Sequence, residues 1–134
     1  FVSRGDDSGT HKMERRLWQE AGRRPGGSRY LEAGQGMGPT LWIASEKGGY
    51  TLTDRGTFLA LRGRLALEIL VEGDAVLLNR YSVLQVNPAR HPHVNAAGAR
   101  ALADFLTSPE GQATIRDFGT REFGAPLFIP DLLH

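Results

Sequence analysis

The sequence has 134 residues, which suits one domain and is long enough to bury a core covering about two-thirds of the unfolded surface. Hydrophobic residues form 40% and charged residues 23%, with a formal net charge of +1, so disordered, membrane-inserted and broadly nucleic-acid-binding classes are disfavoured. The absence of cysteine excludes thiol catalysis, cysteine-based zinc sites and disulfide staples.

The chain opens on a short strand-like segment. Thr10 to Gly22 then reads as a helix, because Met13, Leu17, Trp18 and Ala21 share one face at helical spacing, and Gly22 supplies its stop. Arg23 to Ser28 is a loop rich in Pro and Gly, followed by a segment around Tyr30 and Leu31 expected to continue as a helical turn. After Gly34-Gln35-Gly36-Met37-Gly38, Pro39 suits the first turn of a helix running to about Lys47. Tyr50-Thr51-Leu52-Thr53 reads as a strand, and Asp54 is placed to cap a short helix through Thr57, Phe58 and Leu61. Two further β-like runs are Leu65 to Val71 and Arg80 to Val86. Asn95 caps an amphipathic helix from Ala96 to Thr107 whose inner side carries Ala99, Leu102, Ala103, Phe105 and Leu106. Ser108-Pro109 starts another helix, ended by Gly119, and the tail Pro126 to Leu133 is apolar and irregular. Strands alternating with helices predict an α/β architecture.

The stretch Ser3-Arg4-Gly5-Asp6-Asp7-Ser8-Gly9-Thr10-His11 carries the chemistry. It places one arginine, three hydroxyls and two glycines at a strand-to-helix junction. The first turn of a helix has unpaired N–H groups at the positive end of its dipole, so a small oxyanion meets donors already aimed at it. Arg4 can add a bidentate, charge-assisted contact, and Ser3, Ser8 and Thr10 can add hydroxyl bonds, with Gly9 allowing close approach. The blander reading is a simple cap by Ser8 or Thr10 beside a turn at Asp6 and Asp7. A second polar junction, Thr53-Asp54-Arg55, could support a cleft, or Arg55 could pair with a carboxylate such as Asp6 or Asp7. The Gly34 to Gly38 stretch lacks the pattern of a nucleotide loop and is assigned to close packing or a hinge. His91 and His93 have no third ligand at metal spacing, so no metal is expected. Arg15, Arg16, Arg23, Arg24 and Arg29 read as a solvated face and loop. Asp6, Ser8 and His11 lie too close in sequence to form a nucleophilic triad, so catalysis is not expected.

In order along the chain, Ser3 to His11, Gly34 to Gly38, Tyr50-Thr51-Leu52-Thr53-Asp54-Arg55-Gly56-Thr57, Leu78-Asn79-Arg80-Tyr81 and Ser108-Pro109-Glu110-Gly111-Gln112 resemble the tungstate-binding proteins of ABC transporters, a branch of the type II periplasmic binding proteins. The resemblance implies two α/β lobes joined by a hinge, with an oxyanion held between them. It implies that Arg4 is the cationic ligand and Thr10 a hydroxyl and backbone donor, with Ser3, Ser8 and Gly9 close by and Thr53, Asp54 and Arg55 beside the cleft. The family's Thr/Ser-rich ligand loop of the N-terminal half has no counterpart here. The chain is therefore read as a fragment: residues 1–86 as the second lobe, and 87–134 as a C-terminal segment returning to a first lobe whose N-terminal part is missing.

That reading implies tungstate or molybdate as ligand with no cofactor and no enzymatic turnover. The implied partners are an ABC transporter permease and the missing lobe, without nucleic acid or membrane insertion, in a periplasmic or extracellular membrane-associated setting. It further implies weak binding by this chain alone and self-association through uncovered apolar helices. The alternative is the ligand-sensing domain of a transcriptional regulator sharing the fold.

Overall fold

The computed structural model describes residues 1–131. It divides between Leu77 and Leu78 into two compact units.

In the first unit, β1 (Val2–Ser3) and β2 (Leu31–Glu32) form a parallel pair, with Val2 opposite Leu31 and Ser3 opposite Glu32. Parallel neighbours need a crossover, and α1 (Gly9–Glu20) supplies it. The segment around Leu31 is thus a strand and not the helical turn expected; a single 3₁₀ turn, Gly27–Arg29, precedes it. α2 (Met37–Glu46) follows β2 and begins two residues before Pro39. α3 (Arg55–Leu61) starts at the Asp54 cap, as its residue type predicts.

Two further expectations fail in this unit. Tyr50 to Thr53 adds no strand to the sheet, although Tyr50 O accepts a 2.7 Å bond from Val2 N, and Leu65 to Val71 is irregular. The core gathers Val2, Met37, Leu41, Ala44, Phe58 and Leu59, so α2 packs against β1 and α3 against α2. α1 buries His11 and Glu14, and Glu14 lies on the same face as the apolar positions that the pattern picked out, one turn before Leu17 and Trp18.

The second unit carries α4 (Ala96–Thr107), α5 (Pro109–Asp117) and the short α6 (Thr120–Phe123), which the sequence pattern missed. Asn95 and Ser108 cap α4 and α5 as expected, accepting from Gly98 N and Gly111 N. Arg80 to Val86 is irregular and exposed rather than a strand. The expected inner side of α4 is only partly inside: Ala103 is buried, whereas Leu102 and Phe105 remain exposed. Of the tail, Pro126 to Asp131 is irregular, and Leu132 and Leu133 lie outside the described residues.

Candidate functional site

Because β1 and β2 are parallel, the helices that follow them, α1 and α2, both start at the carboxyl edge of the pair. In open α/β sheets this edge is where ligands collect. The loops are joined there by backbone: Ala33 N donates to Ser3 O at 2.8 Å, and Gly34 N to Arg4 O at 2.8 Å. The glycine stretch read from sequence as packing or hinge therefore lies against Arg4, and its signal was only the repetition of glycine before a helix.

α1 begins at Gly9, as its cap predicts. Ser8 Oγ accepts from His11 N at 3.3 Å, while the amides of Gly9 and Thr10 have no acceptor among the described residues. Thr10 is half-buried and its hydroxyl likewise has no partner among them. A Cβ built on Gly9 would meet nothing within 4 Å, so space stands open before these donors. α2 starts on Gly36 without a side-chain cap, adding a second set of unpaired first-turn amides at the same edge.

The loop between β1 and α1 is held from several sides. Gly5 has φ +61°, and a Cβ there would stand 2.8 Å from Glu32 Cβ, so only glycine fits. Asp7 is also left-handed, at φ 57°, and its amide donates to His11 Nδ1 at 3.0 Å. Arg4 does not face solvent freely: its Nε and Nη2 donate to Asp6 Oδ2 at 3.0 and 2.5 Å, with both side chains about one-fifth exposed. Asp6 Oδ1 accepts from Ser8 N at 3.2 Å. The Ser8 hydroxyl first, then the Arg4 guanidinium and the Ser8 amide, hold the Asp6 carboxyl down to about 2, against an opposing effect of desolvation.

The expected hydroxyl donors thus divide. Ser3 is fully buried and donates to Glu14 Oε2 at 2.6 Å while accepting from Gly5 N at 3.2 Å, so its proton belongs to the scaffold. Ser8 caps α1 and turns to Asp6, and Thr10 is left as the outward hydroxyl. Glu14 is the residue that sequence reading missed: buried, it also accepts from Trp18 Nε1 at 3.2 Å and Tyr30 Oη at 2.8 Å. Burial raises the Tyr30 phenol above its usual value; the Ser3 hydroxyl pulls the other way, and the Glu14 carboxylate adds to the rise.

Thr53 and Asp54 are held within their own segment. Asp54 accepts from Thr57 N at 2.7 Å, and Thr53 Oγ1 donates to Asp54 O at 3.1 Å. Arg55 pairs with Glu72, not with Asp6 or Asp7 as one reading had it. His91 and His93 are both exposed, and among the described residues no three His, Asp or Glu side chains gather as a metal would require.

With this geometry in view, residues 1–110 match the family profile described as PBP superfamily domain. The chain belongs to that superfamily. It is 47% identical over 131 residues to the tungstate-binding protein TupA of Peptoclostridium acidaminophilum, covering 98% of this chain and 46% of that protein. Among solved structures it resembles the tungstate-binding protein TupA of Desulfovibrio alaskensis G20, with TM-score 0.75 and 46% identity over 98% of this chain and 54% of that one. A structure described as the tungstate ABC transporter from Geobacter sulfurreducens gives TM-score 0.72 and 44% identity, over 88% of this chain and 50% of that one. The chain spans about half the length of the relatives it matches. The expected α/β architecture of the periplasmic-binding type agrees with these likenesses, and the small parallel pair with its crossover helix is the part of it described here.

Proposed function

We propose that this chain supplies one wall of an oxyanion-binding cleft in the substrate-binding component of an ABC importer, with tungstate as the ligand and molybdate as a near-isosteric rival. The observation that carries this reading is the open start of α1: the amides of Gly9 and Thr10 and the Thr10 hydroxyl, unpaired among the described residues, with the Arg4 guanidinium tied to the same helix start through Asp6 and Ser8. Every group there is a donor, and a dianion with four oxygens and no proton is the ligand such a set accepts. The likeness to tungstate-binding proteins supplies the anion.

The mechanism is capture without chemistry. A second wall, from the part of such proteins that this chain does not match, closes over the anion and excludes water, and the closed form docks on a permease outside the cytoplasm. Thr53, Asp54 and Arg55 would stiffen the cleft through the α3 cap. Exposed Leu102 and Phe105 on α4 support the reading of the C-terminal segment as packing on that second wall; self-association of residues 1–134 alone is the expected consequence, visible by light scattering. No described helix is long and apolar enough to cross a membrane.

Calorimetric titration of the full-length protein with tungstate, molybdate and sulfate tests the proposal. Tungstate and molybdate should bind and sulfate should bind more weakly, with Arg4→Ala losing about one to two orders of magnitude, the worth of a charge-assisted bidentate contact. Unchanged affinity in that variant would remove Arg4 from the site. A regulator-type sensor would instead show ligand-dependent DNA binding by the full-length protein.

A further inference from the structure

The proposed site keeps a carboxylate beside the cation meant for an anion, and simple charge logic disfavours that. An aspartate next to the arginine cancels its charge and would repel an incoming dianion. Stability does not account for it either, because ion pairs near the surface contribute little. The contact geometry offers a different account.

Asp6 takes Nε and Nη2 of Arg4 on one oxygen, Oδ2. Its other oxygen accepts the amide of Ser8, the residue that caps α1. Asp6 therefore ties the guanidinium to the start of the same helix whose Gly9 and Thr10 amides are unpaired. The Nε–Nη2 edge is occupied, and the opposite Nη1–Nη2 edge stays free for a second planar, bidentate contact. An untethered arginine would have to give up its rotamer freedom each time an anion bound.

We propose that Asp6 is a positioning residue, which grips the side edge of Arg4 and anchors it through Ser8 so that the end edge meets the oxyanion together with the first amides of α1. This rests on the oxyanion reading above. Asp6 itself touches no ligand.

The test is titration of the full-length protein with sodium tungstate, comparing wild type, Asp6→Asn, Asp6→Glu, Arg4→Ala and the Arg4→Ala/Asp6→Asn double variant. Asp6→Asn keeps an acceptor for Ser8 N but can turn an NH₂ group toward the guanidinium, so binding should weaken about tenfold, the worth of one well-placed hydrogen bond. Its thermal unfolding midpoint should fall only slightly, by the small worth of a surface ion pair. Asp6→Glu should recover part of the loss, and it carries the test if Asp6→Asn fails to fold. In the Arg4→Ala background Asp6→Asn should cost nothing further, because its effect passes through Arg4; a merely structural role would add its full loss there.

Equal or tighter binding by Asp6→Asn, or full additivity with Arg4→Ala, would overturn the positioning role while leaving the oxyanion site standing, provided Arg4→Ala alone weakens binding. Wild type that ignores tungstate would overturn both.

Discussion

Replacing Glu14 by alanine should loosen the whole carboxyl edge of the sheet, and the size of the effect follows from its three donors. Ser3 Oγ at 2.6 Å, Tyr30 Oη at 2.8 Å and Trp18 Nε1 at 3.2 Å all end on a carboxylate whose residue is only 3% exposed. A buried donor left without an acceptor costs about 1–3 kcal/mol. Ser3 is fully buried and should sit within that range, while Tyr30 and Trp18 are half-buried and regain part of their loss from water. Removing a buried charge with no cation beside it returns some of the total. The net expectation is about 2–4 kcal/mol for Glu14→Ala. Glu14→Gln should cost only about 1 kcal/mol, because its amide oxygen can still serve Tyr30 and Trp18. Urea unfolding of the full-length protein, followed by far-UV circular dichroism, measures both. A Glu14→Ala loss no larger than that of Glu14→Gln would refute the claim that this carboxylate organises the loop. Since Ser3 Oγ also holds Gly5 N, tungstate affinity should fall with stability in Glu14→Ala.

Gly9→Ala should separate folding from binding: a methyl there meets no protein atom, so stability should hold within about 0.5 kcal/mol, while crowding before the free amides should weaken tungstate binding in calorimetry. Gly5→Ala should fail on both counts, because φ +61° and the 2.8 Å approach to Glu32 Cβ leave no room; a loss of about 2 kcal/mol or more in urea unfolding is expected. Gly111→Ala should destabilise the contact of α4 with α5, where a Cβ would lie 2.0 Å from Phe105 O, and a lowered melting temperature checks it. The pH limbs have opposite signs. Asp6, depressed to about 2 from 3.8, adds stability that is present above the higher value and lost as pH falls through the lower, so Asp6→Asn should flatten the acid limb of an unfolding series. Tyr30, raised above 10.0, contributes stability that is present below that value and lost as pH climbs through its folded value, so Tyr30→Phe should flatten the alkaline limb.

Local chemistry was readable before the fold was known. Ser8, Asp54, Asn95 and Ser108 each cap the helix their residue types promised, since a cap needs only a short side chain and an amide three residues on. Strands were misread for the complementary reason. Leu65 to Val71 and Arg80 to Val86 have strand-forming composition, but a ladder needs a partner from elsewhere, and Leu70, Val71, Tyr81 and Leu84 stay exposed without one. β2 is two residues long, too short to show any alternation. At the candidate site, the helix start and its Ser8 cap were legible, while the Arg4–Asp6 pairing and the roles of Ser3 and Glu14 were not. Their bond spans 11 residues, and the Tyr30 contact spans 16, so no local pattern could place a carboxylate beneath the loop.

The consequence for selectivity lies in which acceptors remain. Asp6 Oδ2 holds Arg4 and Oδ1 holds Ser8, Glu14 is turned inward to Ser3, Trp18 and Tyr30, and the groups left at the start of α1 are amide and guanidinium donors. Thr10 Oγ1 could take a ligand's proton only by turning its own away from the anion. A singly protonated phosphate would therefore set its O–H against donors and leave it unpaired, at a cost comparable to a lost buried hydrogen bond, about 1–3 kcal/mol or roughly one to two orders of magnitude in affinity. Tungstate carries no proton at neutral pH and escapes that penalty. Phosphate should compete poorly with tungstate at neutral pH, whereas molybdate, which likewise carries no proton there, should compete well. Equal competition by phosphate at neutral pH would mean that a carboxylate in the site is free to accept, and that Asp6 is not tied to Arg4 and Ser8 when the anion is bound.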